Sequence, residues 1–245
     1  MPSGSIQIEN KKKEIKFKGY VTAPANGVYP GVLLLHQNYG MDANIRAYAE
    51  ILAANNYTVF IPDIFWRDLP GCELNSNNDT DINKSLDLIK TYDLDKGFDD
   101  VTMCLKWLRE TPQCNGLVTV IGFGIGANLA YLAGLWLDIE SSVCYDFEGA
   151  NFFQENDVDI RRPMLIHLNK STNNYLKNEK KEEFIKNIKN IDVQVYENCS
   201  NNFYRISDKN YNAEIFNEHY FSFTFNVISN NRKNQTNKWQ GKKRL

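Results

Sequence analysis

Several features that would assign a chain to a specialised class of protein are missing from this 245-residue sequence. Its five cysteines are widely spaced, odd in number and never in a Cys-x-x-Cys pair, which argues against a disulfide framework and a structural zinc site. The net charge is only −2, so the chain lacks the strong positive field typical of nucleic-acid-binding proteins. We therefore expect no nucleic-acid partner.

Two further absences concern membranes and export. No apolar segment reaches the ~20 residues needed to cross a bilayer. The N-terminus, Met1-Pro2-Ser3-Gly4, has no charged region followed by an apolar run, which is the pattern of a secretory signal peptide. We therefore expect a cytoplasmic protein without a membrane partner.

What the sequence does contain is an alternation of short apolar runs and helical patterns. After an N-terminal hairpin over residues 6–20, strands are predicted at 31–36, 57–63, 118–123, 142–147, 164–168 and 193–197. Helices are predicted near 44–55, 81–90, 97–109, after residue 124, near 175–189 and at 213–227. Because the strands are continuously apolar, both faces of the sheet should be covered by helices. The pattern predicts an α/β fold, a doubly wound and mostly parallel sheet flanked by helices, with right-handed crossovers.

The chain divides into one predicted domain, residues 1–228, and a tail, residues 229–245. The tail has few apolar residues, and its basic residues are Arg232, Lys233, Lys238, Lys242, Lys243 and Arg244. This composition is typical of a solvated, disordered end. A scaffolding role through the tail, with an unidentified protein partner, stays open.

The most informative segment, residues 121–127, has the form of a nucleophile elbow with no nucleophile. In the G-x-S/C-x-G pattern a buried strand turns sharply into a helix, and the central residue carries the attacking atom. That residue is Gly124 here, which has no side chain. Because glycine tolerates the strained conformation of such a corner, we still expect the turn to form.

Other motifs accompany the elbow: Leu34-Leu35-His36-Gln37-Asn38-Tyr39-Gly40, Phe60-Ile61-Pro62-Asp63, Leu165-Ile166-His167-Leu168 and Val195-Tyr196-Glu197. Together they resemble the dienelactone hydrolase family of α/β-hydrolases, over about residues 6–228. The resemblance implies a single α/β-hydrolase domain.

The same resemblance implies a catalytic set of cysteine, histidine and aspartate, with a glutamate in the loop after the first core strand. The cysteine position falls on Gly124, the aspartate on Thr172, the histidine on Asn201 and the glutamate on Gln37. A glycine cannot be acylated, and an asparagine cannot shuttle a proton near neutral pH. We therefore expect a non-catalytic paralogue that binds a small ligand or a partner.

An active hydrolase of esters or lactones with a relocated nucleophile is the alternative. Cys144 and Cys199 are the candidates, although Cys144 has the pattern of a buried small hydrophobe and Cys199 that of a free loop thiol. Of the three histidines, His36 and His167 fall on strand ends and His219 on the last helix. None has an evident cysteine–carboxylate context.

Neither a metal nor a cofactor is predicted. The clustered acids Asp93, Asp95, Asp99 and Asp100 precede or begin a helix, where the helix dipole favours negative charge. Gly122-x-Gly124-x-x-Ala127 only superficially matches a dinucleotide fingerprint, because the expected acid about 20 residues further on is only loosely matched by Asp146.

A ligand pocket beside the elbow is expected to involve Gln37, Phe123, Ile125 and Arg205. In the family, arginines hold the substrate carboxylate, and Arg205 occupies the place of one of them, while Ile82 matches the other. Arg205 either binds an anion at the pocket mouth or is a surface arginine. Because the helix after the elbow presents backbone N–H groups, an anionic ligand is among those expected.

Overall fold

The computed structural model describes residues 3–10, 14–147, 162–169, 189–196, 205 and 211. The strands are β1 (Ser3–Asn10), β2 (Ile15–Thr22), β3 (Tyr29–Leu35), β4 (Thr58–Pro62), β5 (Cys114–Phe123), β6 (Ser141–Tyr145), β7 (Met164–Asn169) and β8 (Ile191–Tyr196). The helices are α1 (Ala43–Ala54), α2 (Asp79–Thr91), α3 (Leu94–Glu110) and α4 (Ile125–Trp136).

The strands form one eight-stranded sheet in the order β1-β2-β4-β3-β5-β6-β7-β8. From β4 through β3 to β8 every neighbouring pair is parallel, whereas β1–β2 and β2–β4 are antiparallel. The predicted mostly parallel α/β sheet is thereby confirmed. Its antiparallel part is the N-terminal hairpin, which extends one edge.

Alternate residues of the central strands pack on opposite faces of the sheet. Val32 and Leu34 of β3 belong to a core cluster with α1. Leu33 and Leu35 belong to the cluster that contains α3 and α4. Both faces of the sheet are therefore buried at β3, which explains why this strand is apolar at successive positions rather than at every second one.

The N-terminus of α3 is fixed by a side-chain cap. Asp93 caps α3 by accepting the N–H of Lys96 at 3.0 Å, and Asp95 lies in its first turn, as expected for acids at a helix start. Asp100 differs from that expectation. It is buried inside α3, where it pairs with Arg67 and accepts the indole N–H of Trp66 at 2.8 Å.

Some sequence predictions fall outside the described residues. These are the helix at 213–227, nearly all of that at 175–189, the tail 229–245, and Thr172, Cys199, Asn201 and His219. Within the described ranges, no group of three or more His, Cys, Asp or Glu could hold a metal ion. No helix in that part of the chain is long and apolar enough to span a membrane.

The start of α4 packs directly on the ends of β3 and β5. A Cβ on Gly122 would lie 2.0 Å from the carbonyl oxygen of Gly126, and one on Gly126 would lie 2.5 Å from that of Leu35. Both contacts are with backbone, which cannot move aside as a side chain could. The two glycines therefore allow the close strand-to-helix approach that defines the corner.

Gly126→Ala should consequently destabilise the protein by about 1–3 kcal/mol, because the added methyl group forces α4 away from β3. Urea unfolding would measure the loss. Gly4→Ala is the control, since a Cβ there meets nothing within 4 Å. Equal free energies of unfolding for the two variants would contradict this account of the corner.

Candidate functional site

Gly124 forms the corner between β5 and α4, with a φ of 53° and a ψ of −117°. Its N–H donates to the carbonyl of Tyr145 and its carbonyl accepts from Ala127, both at 2.9 Å. A Cβ on Gly124 would lie 3.4 Å from the Cβ of Gln37 and 3.9 Å from the Oδ1 of Asn38, which are ordinary contacts. The corner thus has the shape of a nucleophile elbow and space for the first atom of a side chain.

His36 holds the loop that carries Gln37. The N–H of Ile64 donates to the Nε2 of His36 at 3.1 Å, so the ring proton lies on Nδ1. That nitrogen then donates to the carbonyl of Gln37 at 2.7 Å. Burial lowers the pKa of His36 to about 4, so the ring is neutral. With both nitrogens engaged by backbone, His36 positions the loop and is not available as a base.

His167 belongs to a row of stacked rings across the sheet. Its ring lies 4.5 Å from that of Tyr145, which in turn stacks on Phe123 at 4.6 Å. The Nδ1 of His167 is 2.9 Å from the hydroxyl of Tyr196. Burial lowers the pKa of His167 to about 3. Such a histidine packs the sheet as a neutral ring rather than moving protons near neutral pH.

The described cysteines, Cys72, Cys104, Cys114 and Cys144, are all buried free thiols. Burial raises the pKa of Cys72 to about 12 and that of the fully buried Cys144 further still. Because the thiolate is the attacking species, these side chains are poor nucleophiles. Cys199 lies outside the described residues.

A pocket opens beside the corner, with about 330 Å³ of empty space that includes a part open to solvent. The described residues that line it are Gln37, Asp42, Asn44, Ile45, Tyr48, Phe123 and Arg205. Tyr48 packs edge-on against Phe123, with ring centroids 5.3 Å apart. Apolar rings and polar groups therefore share one lining.

Of the four ligand-binding candidates from the sequence, Gln37, Phe123 and Arg205 lie in this lining. Ile125 is placed elsewhere, in the core cluster on the face of α3 and α4. It is the first residue of α4 after the corner, and its side chain is 7% exposed. Sequence adjacency to Gly124 thus does not bring this side chain into the pocket lining.

Arg205 is only 3% exposed, which rules out the interpretation as a surface arginine. Its Nη2 donates to the Oδ2 of Asp42 at 2.5 Å, and its guanidinium lies 4.5 Å from the ring centroid of Tyr39. Ile82, which matches the family's second arginine, packs against the core. The pocket's arginine is therefore paired inside the protein.

Asp42 and its neighbours at the start of α1 are the part of the site that the sequence analysis missed. Asp42 is the N-cap of α1, and its Oδ1 accepts the N–H groups of Asn44 and Ile45, each at 3.1 Å. An aspartate before a helical pattern is a recognisable cap signal. Its pairing with Arg205, 163 residues away in the chain, has no local signal.

Comparisons with known proteins agree with this geometry. Residues 17–232 match the Dienelactone hydrolase family. Carboxymethylenebutenolidase 1 of Cupriavidus pinatubonensis is 26% identical over 214 residues, which cover 86% of this chain and 90% of that protein. The carboxymethylenebutenolidase of Pseudomonas sp. (strain P51) is 24% identical over 204 residues, covering 81% and 84%.

Among solved structures, a candidate dienelactone hydrolase of Klebsiella pneumoniae superposes with a TM-score of 0.73, at 14% identity over 94% of this chain and 99% of that one. An esterase of Pyrococcus furiosus gives a TM-score of 0.61, at 17% identity over 94% and 92%. At these identities the likeness shows the fold, which is that of the α/β-hydrolases.

The buried state of His167 predicts a pH dependence of stability. Below pH 6.5 the unfolded chain binds a proton at this histidine that the folded protein cannot bind until about pH 3. The contribution of His167 to the free energy of unfolding is therefore fully present above pH 6.5. Between pH 6.5 and about pH 3 it decreases by about 1.4 kcal/mol for each unit by which the pH falls.

His167→Phe keeps a ring against Tyr145 and removes the titration. Between pH 7.5 and pH 5 the variant should lose about 2 kcal/mol less of its unfolding free energy than the unmodified protein does. Urea unfolding at both pH values measures this, and pH 7.5 reports the pH-independent cost of the substitution. Parallel pH profiles would show that His167 is not buried as a neutral ring.

Proposed function

The chain belongs to the dienelactone hydrolase family, and we propose that it is a non-catalytic member that binds a small ligand in the pocket beside Gly124. By family resemblance it is of hydrolase type. One observation carries the proposal: the corner where the resemblance places the nucleophile is complete in its backbone but is formed by glycine. Covalent catalysis at an elbow requires an attacking side-chain atom.

The expected loss of catalytic rate is large enough to favour a binding protein over a slow enzyme. Removing the nucleophile or base of a triad lowers kcat on the order of a million-fold, about 8 kcal/mol of transition-state stabilisation. Backbone donors and binding alone retain roughly a thousand-fold acceleration over water. The resemblance also places Asn201 at the position of the histidine, Thr172 at that of the aspartate and Gln37 at that of the glutamate. Binding is therefore the activity that the remaining groups support.

The pocket retains what a binding site needs. Gln37 and Asn44 place polar side chains in the lining, and Tyr48 with Phe123 gives it an aromatic surface. A small molecule with a flat apolar part and a polar group would match this lining. We also propose the cytoplasm as the location of the protein.

A relocated nucleophile is the competing hypothesis. The buried thiol of Cys144 and the engaged rings of His36 and His167 count against it. Cys199 remains a candidate, because the burial that counts against Cys144 is observed only for described residues, and Cys199 is not among them. Two experiments separate the hypotheses.

The first experiment measures turnover of p-nitrophenyl acetate and of a dienelactone. The unmodified protein should show no saturable hydrolysis, and Gly124→Cys should not restore it, because a thiol without histidine and aspartate has no base. The variant should fold, since the corner accommodates a Cβ at 3.4 Å, although φ of 53° adds about 1–3 kcal/mol of strain. Turnover by the unmodified protein that a thiol reagent abolishes would refute the proposal.

The second experiment follows iodoacetamide labelling of each cysteine by peptide mass spectrometry. Cys144 should react far more slowly in the folded protein than in urea, because its sulfur is buried and its pKa is raised. Cys199 should react no faster than in the unfolded chain. In Gly124→Cys the added thiol beside the pocket serves as the accessible control. Accelerated labelling of Cys144 or Cys199 in the folded protein would favour the relocated nucleophile.

A further inference from the structure

The pocket contains an arginine that is already neutralised by a carboxylate of the same pocket. Arg205 and Asp42 both line it, and they are 3% and 6% exposed. Their contact joins Nη2 of Arg205 to Oδ2 of Asp42. Among the described residues of the lining, Arg205 contributes a positive charge and Asp42 a negative charge, in direct contact.

The carboxylate of Asp42 is held in place independently of Arg205. The N–H groups of Asn44 and Ile45 donate to Oδ1 at 3.1 Å each, and the amide of Asn44 donates to Oδ2 at 3.2 Å. The N-terminal end of α1 also favours negative charge at this place. Asp42 cannot swing away from Arg205 without giving up the cap of α1.

An anionic ligand would therefore meet an occupied partner. To contact Arg205 it would have to displace a capped carboxylate, or lie beside it in a poorly solvated space. Like charges in such contact repel one another, and the repulsion is strong where little water screens it. An uncharged ligand leaves the pair intact and lies against the polar residues Gln37 and Asn44 and the rings of Tyr48 and Phe123.

We propose that Asp42 is the specificity-determining residue of this pocket. It serves as the internal counter-ion of Arg205, so that the pocket accepts uncharged polar molecules of the amide or ester class and rejects carboxylates. This rests on the proposed function, that the pocket binds a small ligand. It differs from the anionic ligand that is among those expected from the sequence.

Benzamide and benzoate test the proposal, because they have the same size and shape and differ in charge. Dissociation constants are measured by NMR titration at pH 7, with the amide signals of Tyr48 and Phe123 reporting binding in the pocket. The unmodified protein should bind benzamide at least about tenfold more tightly than benzoate.

Asp42→Asn should abolish this preference. Asparagine still caps a helix, but it removes the negative charge that Asp42 places beside Arg205, so benzoate should bind at least about tenfold more tightly than to the unmodified protein. Asp42→Asn combined with Arg205→Met should lose that gain. If Asp42→Asn does not fold, Asp42→Ser, which also keeps a capping oxygen, replaces it.

The outcomes separate the two proposals. Preference of the unmodified protein for benzoate, or no gain of benzoate binding in the Asp42 variants, overturns the role of Asp42 and leaves the pocket a binding site. Binding of neither probe by any of the proteins contradicts the proposed function itself, and this inference with it.

Discussion

The contact of the start of α4 with the ends of β3 and β5 is the constraint on which the rest of the site depends. Gly122 and Gly126 leave no room for a Cβ between these backbones, and the chain turns sharply at Gly124 between them. That turn directs the corner towards Gln37 and sets Phe123 against Tyr48. The residues that form the pocket are therefore held beside the corner without any contribution from an attacking side chain.

The same scaffold places ionisable groups where they serve structure. His36 is locked between two backbone groups, and His167 is a neutral ring in a stack, because full burial disfavours their charged forms. Arg205, which the sequence resemblance assigns to carboxylate binding, is paired with Asp42. These groups stabilise the pocket's walls, which fits a site that holds a molecule without converting it.

Much of the fold and part of the site could be predicted from local patterns. Strands buried on both faces appear as continuous apolar runs, so the bounds of β3, β4, β6 and β7 were predicted to within two residues, whereas β5 begins at Cys114, four residues before its predicted start. The corner was predicted from its glycines, and Gln37, Phe123 and Arg205 were placed beside it. Ile125 was also predicted to lie in the pocket, but it lies in the core. The direction of its side chain depends on how α4 is rotated against the sheet, which the local sequence does not specify.

The sequence by itself determined the α/β sheet, the corner and the missing side chain at Gly124, because these depend on residue type and short-range spacing. Only the tertiary structure decided which charges meet. Asp42 and Arg205 are 163 residues apart, and Arg67 and Asp100 are 33 apart. Their pairing arises from the packing of separate elements, and through it an arginine that could bind an anion becomes one that already has its counter-ion.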